Sequence, residues 1–125
     1  MVQTNIANIA GECTEWRKQL RQLRDKLNLC KEQLLEIVTE THSRESLAQV
    51  EHYHNQFHIQ LINVHDVKHS IKQHEQRMQF EKEQKGKIAI ESLALHDELF
   101  KQYQQLEETL QQLLHDFGRF LRRKK

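Results

Sequence analysis

No proline interrupts this chain of 125 residues and only three of them are glycine, so the turn punctuation that a sheet-containing fold requires is absent. Cysteine is equally scarce, with Cys13 and Cys30 the only two. They lie seventeen residues apart on one predicted helix. That is about 25 Å, whereas a disulfide requires Cα atoms within about 7 Å, so a bridge between them within one chain is excluded. Free thiols of this kind point to a reducing compartment. A dominant charge is also missing: 19 lysines and arginines face 18 aspartates and glutamates, for a formal net charge of +1. No overall field therefore draws the chain to nucleic acid. No window approaches the roughly 18 apolar residues of a membrane span, and no charged segment followed by an apolar run marks a signal peptide, so a cytoplasmic location is expected. A glycine-rich phosphate loop and a nucleophile embedded in a turn are absent too, and neither enzymatic activity nor a cofactor is expected.

What the chain has instead is an apolar repeat. Ile6, Ile9, Cys13, Trp16, Leu20, Leu23, Leu27, Cys30, Leu34, Ile37 and Thr41 follow one another in three-four spacing. A stripe of period 3.5 is buried only by neighbouring helices lying nearly parallel to it. A second stripe runs through Leu47, Val50, His54, Phe57, Leu61 and Val64, and then requires a local shift to continue as Val67, Ile71, His74 and Met78. A third takes Ile88, Leu95, Leu99, Tyr103, Leu106, Leu110, Leu113, Phe117 and Phe120, with a shift near Leu99. Ser43 is the expected N-cap of the second helix, and Gly86, following Lys82 and Lys85, its expected terminator. The spacing thus predicts an all-α domain over residues 1–125, with helices at about 4–41, 44–85 and 87–122. Short joints fold three such helices as an up-down-up antiparallel coiled-coil-like bundle. In outline this resembles the spectrin-type repeat, with Trp16 on the first helix, although the third helix carries no tryptophan; the resemblance is one of architecture alone.

Nine histidines are the compositional anomaly, and seven of them fall between residues 42 and 74. His54, His58, His65 and His69 share one stripe of the second helix, beside its apolar seam. Two pairs there have the i, i+4 spacing that brings two imidazoles to one metal, and Glu51 adds the Glu-x-x-His spacing of di-metal bundles. Glu51, His54, His58, His65 and His69 are therefore the metal-ligating candidates; Glu32, His115 and Asp116 fall near His54 in height on the other helices, although His115 projects away from its seam. Protonating all nine histidines raises the formal charge from +1 to +10, so the same stripe predicts destabilisation below pH about 6.5.

Two surfaces suggest partners. Ile59 and Ile62, with His52 nearby, point away from the inferred core and mark a protein-partner or homodimer face. Arg119, Arg122, Arg123, Lys124 and Lys125 surround Phe117, Phe120 and Leu121 as a basic amphipathic tail, which suits an anionic membrane or nucleic acid. Cations at a helix C-terminus also complement its dipole, so the tail alone is no strong signal for either. The leading expectation is a non-enzymatic interaction or assembly module. Its alternatives are a histidine-dependent metal-binding or pH-responsive bundle, and peripheral attachment through the tail.

Overall fold

The computed structural model describes residues 6–40 and 43–124, and it is a three-helix bundle. Helices α1 (Ile6–Glu40), α2 (Arg44–Lys85) and α3 (Ile90–Lys124) run up, down and up. The alternation is visible in the contacts. Arg17 near the start of α1 pairs with Glu75 near the end of α2, while Cys13 meets His96 at the start of α3. At the other end, Tyr53 of α2 packs on Phe117 of α3 with ring centroids 5.3 Å apart.

The joints follow from local chemistry. Ser43 caps α2 as expected, its hydroxyl accepting a hydrogen bond from the Ser46 amide at 3.1 Å. Gly86 ends α2 in the left-handed region, at φ 74°, and returns its amide to the Lys82 carbonyl. The third helix begins at Ile90, later than the sequence predicts, because Ala89 turns its carbonyl to the amides of Ser92 and Leu93. Glu81 secures this joint from inside. Its carboxylate accepts from the Ala89 amide, the Ser92 hydroxyl and the Arg77 guanidinium, at 3.0, 2.9 and 3.2 Å. Those donors, the Ala89 amide foremost, hold its pKa below the usual carboxylate value.

The seam of α1 forms as predicted, from Ile9 through Leu34. Neither register shift predicted for the other helices occurs. In α2 the inward positions are Val50, Tyr53, Phe57, Gln60, Val64, Val67, Ile71, His74, Met78 and Glu81, in unbroken three-four spacing. Tyr53 and Gln60 take the places assigned to His54 and Leu61, so Lys68, Glu75 and Lys82 leave the interior without any change of register. The Gln60 side-chain carbonyl accepts from the Asn63 side-chain amide at 3.1 Å. In α3 the continuous seam is Ser92, His96, Leu99, Tyr103, Leu106, Leu110, Leu113, Phe117 and Phe120, with His96 where Leu95 was expected. A seam position occupied by a polar residue looks like a register break when apolarity alone is followed. No helix is long and apolar enough to cross a membrane among the described residues.

Candidate metal centre

Cys13, His74 and His96 each occupy a seam position of a different helix at the same level of the bundle, and their side chains meet in the core. They are 0%, 2% and 1% exposed. One ligand atom from each lies within 4.8 Å of the other two. The sulfur is 3.8 Å from His96 Nδ1, which is 3.1 Å from His74 Nε2. Three helices thus place two imidazoles and a thiol around a single point.

The far side of His96 fixes its tautomer. Nε2 lies 2.7 Å from the Glu12 carboxylate, and an ionised carboxylate only accepts, so Nε2 carries the proton. Nδ1 of a neutral His96 then presents its lone pair to Cys13 and His74. A carboxylate behind a histidine in this way is the arrangement that orients metal-ligating imidazoles. Trp16 covers the ring, stacked at 4.8 Å between centroids, and itself stacks on Tyr103. His74 is left incomplete. Its Nε2–H donates to His96, and its Nδ1 has no hydrogen-bond partner although it is buried.

Burial governs the protonation of Cys13 and His74. It pushes the Cys13 thiol up to about 12, reinforced by the Glu75 and Glu12 carboxylates and opposed by Arg17. It pulls His74 down to about 4, helped by the neighbouring His96 and Arg77 and opposed by Glu81. Cys13 is therefore held as a neutral thiol beside a neutral His74. Arg17 and Glu75, each next to the centre in sequence or one turn away, neutralise one another in a two-pronged ion pair. The nearby surface groove of about 420 Å³, between Ile9, Met78, Phe80 and Ile88, is lined by none of the three ligand residues.

Among known proteins, no family model, curated protein or solved structure matches this chain.

The residues singled out by the sequence lie elsewhere. His54, His58, His65 and His69 are exposed on the outer side of α2, not shielded at the edge of the core as their spacing beside the predicted seam suggested. The correction follows from the register, since Tyr53 and Gln60 turn inward and rotate the stripe into solvent. His65 and His69 lie ring over ring at 6.4 Å, while Glu51 is exposed. Of the possible counterparts, Glu32 and His115 are exposed and Asp116 accepts from Gln112 on its own helix. Among the described residues, the one group of three potential ligands within range of each other is the buried set. His52, Ile59 and Ile62 are exposed, as are Arg119, Arg122 and Arg123. His42, Thr41, Lys125 and the Lys124 side chain lie outside the described residues.

Sequence reasoning put Cys13 and His74 on their seams and passed over His96. The missing signal was arithmetic. Counting back from Tyr103 and Leu99 without a shift reaches His96 and Ser92, and an antiparallel layout then sets His96 level with Cys13 and His74.

Proposed function

We propose that this bundle is a metal-binding protein that holds one soft or borderline transition-metal ion between Cys13, His74 and His96. The observation that carries this is the convergence of the three ligand atoms within 4.8 Å, one from each helix, in the core. Thiolate and imidazole are the donors that zinc and copper favour over magnesium or calcium. An ion at this point replaces the Cys13 proton and gives His74 Nε2 a bond stronger than the hydrogen bond it now makes. Glu12 holds His96 in the tautomer that binding requires. Because the three ligands come from three helices, the ion also ties the bundle together at this level, and part of its binding free energy becomes folding free energy. Binding, not turnover, is the proposed activity.

The test is the metal content of chain purified without an affinity tag, measured on the eluted monomer peak after dialysis against added zinc or copper. About one ion per chain is expected, lost in Cys13→Ala and His96→Gln and kept when His54, His58, His65 and His69 are all replaced by Gln. No retained metal in the unmodified chain, or metal lost only in the fourfold surface variant, contradicts the proposal.

A second reading, assembly between copies of the chain, draws on Ile59 and Ile62, which are 46% and 48% exposed three residues apart on one face of α2. It is independent of the metal. A solution mass above that of the 15.1 kDa monomer, reduced by Ile59→Lys, is the expected result, and an unchanged monomeric mass in both chains removes it.

A further inference from the structure

We infer that the preferred ion is copper(I), held three-coordinate by Cys13, His74 and His96; this rests on the metal-binding reading above and deepens it.

Zinc sites are almost always four-coordinate, completed by a fourth side chain or by water. Here the set supplies three atoms, and the acidic groups around it are engaged elsewhere. Glu12 accepts from Nε2 of His96, whose lone-pair direction diverges widely from that of Nδ1, so it cannot reach an ion on Nδ1 without giving up its own bond. Glu75 is paired with Arg17. Glu81 is taken by Arg77, Ala89 and Ser92. A coordinated water would sit among residues at most 2% exposed, beneath the stacked Trp16. Copper(I), a soft d¹⁰ ion, is stable with three ligands and takes thiolate and imidazole readily.

The spacing of the donors suits an ion without choosing its coordination number: Cys13 Sγ and His96 Nδ1 are 3.8 Å apart and the two nitrogens 3.1 Å, and side-chain adjustments of a few tenths of an ångström accommodate metal–ligand bonds of about 2.0 to 2.3 Å. Charge points to copper(I). One monovalent cation with one thiolate is neutral, so the buried core gains no net charge, whereas a divalent ion leaves a positive charge to be offset through His96 by Glu12, a side chain 41% exposed to water. On binding, the Cys13 proton leaves to solvent and the His74 proton moves from Nε2 to Nδ1, with no change in the oxidation state of the ion.

X-ray absorption at the copper edge, on untagged chain loaded anaerobically with one equivalent of copper(I), reads the coordination directly. It is paired with competition against a chromophoric copper(I) chelator and with a parallel zinc titration. The expected result is a three-coordinate ion with one sulfur and two imidazole nitrogens. One copper should be retained per chain, with affinity lowered at least about 100-fold by Cys13→Ser and about 10- to 100-fold by Glu12→Gln. A four-coordinate zinc ion at Cys13, not displaced by an equivalent of copper(I), overturns the copper assignment and leaves the metal-binding function standing. Failure of both metals to bind at Cys13 overturns both. Should a variant fail to fold, as judged by its circular dichroism, the absorption spectrum of the unmodified chain still decides.

Discussion

The two ends of this bundle fill the centre of their seams with different side chains. Near the joint of α1 and α2 the seam is aromatic: Phe57 and Phe117 meet edge to face at 5.0 Å, and Tyr53 lies 5.0 Å from Phe120. Near the joint of α2 and α3 the equivalent seam positions hold Cys13, His74 and His96, just as deeply buried. The aromatic end gains from burial and from ring pairs worth about 0.5 to 1.5 kcal/mol each. The polar end gains much less, because its hydrogen bonds replace bonds to water and Nδ1 of His74 replaces none. The contrast teaches that a helical seam specifies position and depth and leaves the chemistry at each level open.

Removing one side chain from the aromatic end should cost the most stability. Phe57→Ala should lower unfolding free energy in urea by about 3 to 5 kcal/mol, and a loss under about 1 kcal/mol would show that this end is not the main source of stability.

Acid separates the two ends next. The pKa of His74 is about 4 in the fold, below the ordinary histidine value of 6.5. Above pH 6.5 the group is neutral folded or unfolded and its effect is absent; between 6.5 and 4 only the unfolded chain takes the proton, so stability falls as pH falls. The loss in metal-free protein approaches about 3 kcal/mol at the lower limit and should vanish in His74→Leu. Glu81 acts at lower pH in the same sense: its carboxylate is stabilised in the fold, so stability present above its ordinary value of 4.5 is lost as pH falls through its depressed pKa. A stability of the unmodified metal-free chain that is flat from pH 7 to 4 would contradict the burial of a neutral His74.

The smallest effect is the most telling. Replacing His74 by Leu together with His96 by Phe should leave the metal-free bundle as stable as before, or more stable by about 1 kcal/mol, while abolishing metal binding. A loss greater than about 2 kcal/mol would mean that the polar pair is there to hold the fold.

The extent to which the fold was legible follows from the same contrast. The α1 stripe, the Ser43 cap and the Gly86 stop were plain, because apolar periodicity and backbone chemistry are local signals. The seams of α2 and α3 were misplaced at Gln60, Ser92 and His96, polar inward residues that hydropathy marks as outside, and at Tyr53, one residue from the His54 that the three-four count reached. The histidine stripe was conspicuous in sequence because it is repetitive. The buried set is assembled from residues 13, 74 and 96, whose proximity exists only once three helices are aligned.

The assignment of metal to Cys13, His74 and His96 can be read on all nine histidines at once. Heteronuclear NMR of the imidazole nitrogens during titration of untagged chain with one equivalent of metal should shift His74 and His96 alone, with metal on Nε2 of the first and Nδ1 of the second. Saturable shifts confined to His54, His58, His65 and His69, with His74 and His96 unmoved, would contradict it.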